Sequence, residues 1–380
     1  MNKQIDIIEK NERKLLTVEE QKKLKNLKLN VTWYKVQDFK GIVKAALPIF
    51  IQLFFDLLIT QINMIMISWY KDGAYFPVVS KITVAFTFLQ FTPSFVASGT
   101  LIVCGNLIGQ RRYSELNQVI ISGVIINFLI CCGIYTIVAL LSEYLLETMG
   151  AQNVAIENVN GQIVEINELQ FAQKYYYVLL TRLVIMSIAQ VYISALQAIK
   201  KSIHVTIGAV ISNFIDATIV SIMLFAAKIN PFWISLSIPI AGLFQLIYMY
   251  IIANKLIDHK TNSGFFKNIK LLFVKETLRM GFPMTIEMGL WNVANLISNV
   301  AIAHLGSDAN TYYEQNKWLE FHRAINSIQQ YTMILMISIA TVTSVRVSTK
   351  IGQKDLDGAY EEGINCWKLQ FILQVFQLLF

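Results

Sequence analysis

Charge is what this sequence is shortest of. Only 15% of its 380 residues are Asp, Glu, Lys or Arg, against a hydrophobic fraction of 55% and a mean hydropathy of +0.50. Surface-to-volume scaling leaves much of any soluble fold in water, so a soluble core of this size cannot hide so much apolar surface. A bilayer removes the difficulty. Cysteine is scarce as well: Cys104, Cys131, Cys132 and Cys366 all lie in or beside apolar runs, which argues against a disulfide framework. The four histidines are scattered and no Cys/His spacing resembles a metal site. No nucleophile–base constellation is visible, so neither an enzyme nor a cofactor is expected. The polar stretch from Met1 to Lys40 lacks the apolar core of a signal peptide and is expected to be retained, with short helical patterns at Ile7–Leu16 and Val18–Leu29.

What the chain has in abundance is apolar runs near the roughly 20 residues that a membrane-spanning helix needs. Nine spans are expected: Ile42–Trp69, Val84–Ile108, Val119–Leu141, Tyr175–Ile199, Ile203–Ala226, Pro231–Ala253, Pro283–Leu305, Ala324–Val347 and Ile364–Phe380. The fold class is therefore all-α, a polytopic membrane helical bundle. A long loop over Glu143–Leu169 and the segment Asn254–Lys270 are the only sizeable connections expected.

Lysine and arginine in the short loops orient the bundle. With the N-terminus inside, 24 of the 32 fall on the inner side and five (Lys71, Lys81, Lys174, Lys228, Lys317) on the outer. A cytoplasmic N-terminus and a plasma-membrane location are the expectation. The net charge of +7 then faces anionic lipid headgroups rather than nucleic acid.

The chain also echoes itself. Ala45-Ala46-Leu47-Pro48 returns as Met280-Gly281-Phe282-Pro283, and Ile108-Gly109-Gln110-Arg111 returns as Ile351-Gly352-Gln353-Lys354. Two six-span halves in the same orientation would explain both echoes, and parallel repeats with a substrate site between them are a common transporter plan. The expected organisation is a polar segment over 1–40, an N-lobe of six spans over 41–254, an inter-lobe linker over 255–282 and a partial C-lobe over 283–380. Because the last residue falls inside an apolar run, the expectation is either a fragment or a truncated chain needing a partner chain to supply the remaining helices.

Leu47-Pro48, Gly109-Gln110, Glu147-Thr148-Met149-Gly150-Ala151, Ile211-Ser212-Asn213, Gly281-Phe282-Pro283 and Ile351-Gly352-Gln353 together resemble the multidrug and toxic compound extrusion (MATE) family, in register from about Lys40 to Phe380. The resemblance implies a twelve-helix, two-lobed antiporter, about nine helices of which are present. Such a protein expels organic cations or other amphipathic compounds in exchange for protons or sodium ions.

Ionisable side chains at membrane depth are costly and are functional candidates by default. Asp56, Asp216 and Glu287 lie within the first, fifth and seventh spans, and Gln52, Asn63 and Asn213 join them as the candidate ion- and substrate-binding set. Gln52, Asp56 and Asn63 are spaced by four and seven residues, hence on one helix face. Arg182 is the obvious buried partner for an acid. Gln61, Gln90 and Asn292 add polar faces. Phe86, Phe88, Phe91, Phe95, Trp291 and Tyr331 offer π-rich surface for a cation, or simply packing.

Three familiar acidic positions of the family are vacant here, held by Asn63, Val220 and Trp291, yet each span has an acid one or two turns nearer the inner face. Two readings stand open: the ion site, a sodium site at Asp56 or Asp216 among its forms, has moved inward, or the acids are incidental in a non-transporting relative. A lipid or lipid-linked oligosaccharide flippase is the other transporter alternative. It would need a cationic cavity, and Arg182 is the one arginine firmly at membrane depth, with Arg323 near a span end.

Overall fold

Leucine-, isoleucine- and phenylalanine-rich runs with almost no charge can satisfy their backbone groups in lipid only as helices, and the computed structural model is built of them. It describes residues 36, 38–69, 75–151, 155–159, 162–227, 231–257, 269–304 and 312–379; the expected patterns at Ile7–Leu16 and Val18–Leu29 lie outside these. In chain order the helices are α1 (Phe39–Trp69), α2 (Phe76–Thr87), α3 (Ser94–Gly109), α4 (Leu116–Leu140), α5 (Ser142–Thr148), α6 (Glu168–Ala198), α7 (Ser202–Ser221), α8 (Ser237–Leu256), α9 (Leu271–Ala303), α10 (Tyr312–Gly352) and α11 (Leu356–Leu379). Among the described residues, six segments are long and apolar enough to cross a membrane: Phe39–Trp69, Tyr113–Leu140, Glu168–Ala198, Ser202–Ala226, Phe232–Leu256 and Ala324–Gly352.

Three expectations change. The second span is not one helix: α2 stops at Thr87, a turn occupies residues 88–93, and α3 starts after Pro93, whose ring cannot continue the ladder. The backbone freed there is buried and needs a partner inside the protein. Asn127 of α4 braces the break, donating from Nδ2 to the Pro93 carbonyl (2.8 Å) and to the Ser187 carbonyl of α6 (2.7 Å). Second, the prolines do not open their helices. α1 begins nine residues before Pro48 and α9 twelve before Pro283, so α9 takes in residues 271–282 of the expected linker. Third, the expected loop over Glu143–Leu169 holds the short helix α5 and an antiparallel hairpin, β1 (Ala155–Val159) with β2 (Gln162–Ile166).

Two residues past α5 comes Gly150, whose φ of 80° suits a residue without Cβ. The Gly150 carbonyl accepts from Lys81 Nζ (2.7 Å), which also bonds Glu168 Oε1 at 2.8 Å. This pair is almost fully buried, with 3% and 0% of the two side chains exposed. Lys81, expected among the outer-side cations, instead forms with Glu168 a buried pair that pins α2 and α6 to the residue that follows α5.

The repeat is written in the backbone. Arg111 and Lys354, fourth residues of the two Ile-Gly-Gln stretches, both adopt the left-handed conformation (φ 60° and 62°). In each, the next residue's N–H reaches five residues back: Arg112 to Leu107 and Asp355 to Lys350. These are matching helix C-caps, with a cation at each negative helix end.

The two halves meet along α3. Gly99 lies against the Thr277 carbonyl and Gly281 of α9, and Gly109 lies against Thr349 and Gly352 of α10, so that a Cβ at any of these glycines would overlap backbone. Small residues let membrane helices approach this closely. On the other side Ile42, Ala46 and Ile49 of α1 pack with Ile339 and Val342 of α10 and Cys366 and Leu369 of α11. Arg346 of α10 adds an ion pair to Asp38 (2.7 Å) beside its own-side pair to Glu362 (2.7 Å). All these contacts are at the Phe39 end of α1. Large apolar side chains such as Leu140, Ile297, Ile328 and Phe376 face outward, as a multi-pass membrane protein requires.

Candidate functional site

Toward the Trp69 end the halves part and leave a cavity of about 170 Å³ between α1, α2, α9 and α10. Below it, within the first half, lies the cluster of acids and amides singled out in the sequence.

The cluster is built by α1 and α7. Four contacts climb both helices together: Thr206 to the Pro48 carbonyl, Asn213 to Asp56, Asn63 to Asp216, and Ser221 to Met66. The two helices therefore run parallel. The pairing is reciprocal. Asn213 Nδ2 of α7 donates to Asp56 Oδ1 of α1 at 2.7 Å, and Asn63 Nδ2 of α1 donates to Asp216 Oδ2 of α7 at 2.6 Å. Each helix thus contributes one carboxylate and one amide.

Asn63 and Asp216 are buried, with 9% and 6% of each residue exposed. Each amide nitrogen has a partner, whereas Asn63 Oδ1 and Asp216 Oδ1 have none, and neither does Oε1 of buried Gln52 one turn below Asp56. Unmet buried acceptors are expensive unless a proton or cation joins them. Arg182 does not form a close ion pair with either acid. Among the described residues it makes no ion pair within 4 Å, and its guanidinium donates to the Ile238 carbonyl at 3.4 Å.

The structure thus gathers Asp56, Asn63, Asn213 and Asp216 in one place, with Gln52 beside them. It does not bring Glu287 there: that residue sits on α9 of the other half and is exposed. The vacancy reading of Asn63 also changes meaning, since the amide is the direct ligand of Asp216.

The cavity above is lined differently from what the aromatic residues suggested. Phe88 and Trp291 reach it, but Phe86 is core, and Tyr331 packs on Phe54 with ring centres 5.8 Å apart. Most of its polar wall is amide: Gln61 of α1, Asn292, Asn295 and Asn299 of α9, Asn326 and Gln330 of α10. Among the described lining residues none carries a formal charge. Gln61 Nε2 bridges the halves by donating to Ser327 Oγ at 3.0 Å. Of this wall only Gln61 and Asn292 stood out in the sequence as polar positions. The signal for the rest was the three- and four-residue spacing of 292, 295 and 299, which puts those amides on one helix face.

Comparison with known proteins follows the same division. The MatE family model matches residues 48–223, the half that holds the acid–amide cluster. The chain is 25% identical over 318 residues to the uncharacterized transporter YisQ of Bacillus subtilis (strain 168), an alignment covering 83% of this chain and 65% of YisQ. It thus spans just under two thirds of that relative's length. Among solved structures, a MOP superfamily transporter from Pyrococcus furiosus, noted for the reverse polarity of its binding pocket, superposes with a TM-score of 0.70 at 15% identity, over 88% of this chain and 70% of that one. A multidrug resistance MATE transporter in an outward-facing conformation gives 0.69 at 14% identity, over 88% and 70%. A eukaryotic MATE transporter gives 0.67 at 15%, over 86% and 68%. At these identities the likeness is one of fold.

Proposed function

We propose that this chain, whose residues 48–223 match the MatE family model, is a MATE-type membrane transporter rather than an enzyme and works as a secondary active antiporter. Protons or sodium ions bind at the α1–α7 cluster and drive export of amphipathic small molecules through the cavity between the halves. The observation that carries this reading is the reciprocal pairing of Asp56 with Asn213 and Asn63 with Asp216, with acceptor oxygens left over on Asn63, Asp216 and Gln52.

A carboxylate in such surroundings holds a proton or a cation in exchange for the missing hydrogen bonds, and gives it up when the helices shift. Asp56 and Asp216 are the exchanging groups. Asn213 and Asn63 orient them, and Gln52 is the nearest additional oxygen. Glu287 lies outside this cluster and takes no part in the exchange step.

Alternating access supplies the coupling. The contacts at the Phe39 end are closed and the cavity lies toward the other end, which suits an outward-facing state if the N-terminus is cytoplasmic in the plasma membrane, as the lysine and arginine distribution supports. Organic cations and other amphipathic compounds are the range that the family resemblance implies. The uncharged cavity wall favours the second part of that range. It also lacks the lysine or arginine a phosphate headgroup would require, so the flippase reading is not favoured.

The test is uptake into proteoliposomes under an imposed proton or sodium gradient. Asp56→Asn and Asp216→Asn should each abolish gradient-driven transport while leaving the protein folded. Transport that stays coupled in both variants would sink the proposal.

A further inference from the structure

Arg182 is the one charge beside the acid–amide cluster that the exchange step leaves without a role. It lies in the middle of α6, where an arginine cannot shed its proton and an uncompensated charge at membrane depth is costly. Lys81 and Arg346 are tied to carboxylates at 2.7–2.8 Å. Arg182 has no such tie among the described residues. Its guanidinium gives one long bond, 3.4 Å, to the Ile238 carbonyl of α8, and the side chain is half-buried.

Its neighbours place it at the level of the cluster. The Arg182 stem lies over Gly242 of α8, where an added Cβ would sit 3.9 Å from Arg182 Cγ. The residue before Gly242, Ala241, accepts from Ser212 of α7 at 2.7 Å, and the residue after Ser212 is Asn213, the partner of Asp56. Among the described residues the only hydrogen bond to the Asp56 carboxylate is that from Asn213, on Oδ1. The charge of Arg182 is felt at Asp56 across this short path. A fixed positive charge acts oppositely on the two states of a carboxylate: it steadies the bare anion and opposes a second cation beside it. At an effective dielectric of about 20, a unit charge roughly 10 Å away changes a cation-binding constant by on the order of tenfold. The unmet oxygens of the cluster pull the other way, since they favour the occupied state.

We propose that Arg182 is a positioning residue of the exchange step: it is the standing counter-charge of the empty Asp56 carboxylate and so sets how readily the coupling cation leaves. The proposal rests on the reading of the α1–α7 cluster as the exchange site and deepens it. Holding an ion needs only the acids and amides. Letting it go needs a charge that takes over when the ion departs, and Arg182 is the cation within reach.

A double-mutant cycle on the full chain in lipid nanodiscs, with no ion gradient, measures the pairing by unfolding titration. The protein carrying both Arg182→Gln and Asp56→Asn should be about tenfold more stable, as an unfolding equilibrium constant, than the two single losses together predict. Arg182→Lys should keep the coupling to Asp56, because the charge stays although the planar fork is gone. In proteoliposomes Arg182→Gln should lower the half-saturating concentration of the driving cation, proton or sodium, by about tenfold and lower the maximal rate with it. Arg182→Lys should stay close to the natural protein in both, a split that a merely structural arginine would not produce. An additive cycle, loss of the coupling in Arg182→Lys, or a half-saturating concentration unmoved by Arg182→Gln would each overturn the proposal. If the natural chain transports nothing under a gradient, the antiport reading falls on its own, and the cycle still decides whether Arg182 is paired with Asp56.

Discussion

Lys81 shows how much one side chain can carry in this bundle. Its ammonium is shared between the Glu168 carboxylate and the Gly150 carbonyl in a nearly dry setting. Removing one partner of such a pair strands the other charge, which typically costs about 3–5 kcal/mol, whereas replacing both with apolar groups is often neutral. Lys81→Met should therefore destabilise the protein by about that much, and Lys81→Met with Glu168→Leu should recover most of it. Unfolding titrations of both variants check this. At the same scale Asn63 and Asn213 are more than neutral fillers, since each fixes the orientation of a carboxylate on the other helix.

At the scale of elements, the break between α2 and α3 is the feature with the clearest physical cause. Pro93 ends one ladder, and Asn127 of α4 braces the break by bonding the Pro93 carbonyl and the Ser187 carbonyl of α6. Asn127→Leu keeps the volume but removes both hydrogen bonds that tie Pro93 to α6, and should cost about 1–3 kcal/mol, read as a lowered midpoint in the same unfolding titration. An unchanged midpoint would mean that these bonds add nothing to stability. The break also sets where the cavity forms, since α2 supplies Thr83, Val84 and Thr87 and the turn supplies Phe88 to the cavity wall, while α3 supplies the glycines that seal the other end.

At the scale of the molecule, closure at the Phe39 end combines backbone-close glycine contacts with the Arg346–Asp38 ion pair. Gly109→Val should force α3 and α10 apart, seen as a longer distance between spin labels at Arg111→Cys and Lys354→Cys, both exposed positions. The ion pair adds a weak pH dependence of known sign. The hydrogen bond from Arg346, ahead of its charge and of the Gly41 N–H, holds Asp38 below the usual carboxylate range. Its contribution is fully present above the unfolded value of about 3.9 and is lost as pH falls through the lowered folded value. The label distance should therefore stay constant from neutral pH to about pH 4 and lengthen only below it. Asp38 is more than half exposed, so Arg346→Gln should loosen this end less than Gly109→Val does.

Residue chemistry read along the chain determined that this protein lives in a membrane, where most of its helices run, that two halves repeat, and that Asp56 and Asp216 lie within apolar spans. These follow from local hydropathy and spacing, which add up residue by residue whatever the fold. The partners of those acids lie 157 and 153 residues away, and no local pattern specifies which amide meets which acid. The same holds for Lys81, whose charge looked like an outer-loop cation until α6 was packed against it. It holds for Glu287 too, an intramembrane acid by sequence that packing leaves on the outside of α9. The uncharged cavity wall is the sharpest case. Its amides come from three helices of both halves, and only their convergence in space made them one surface.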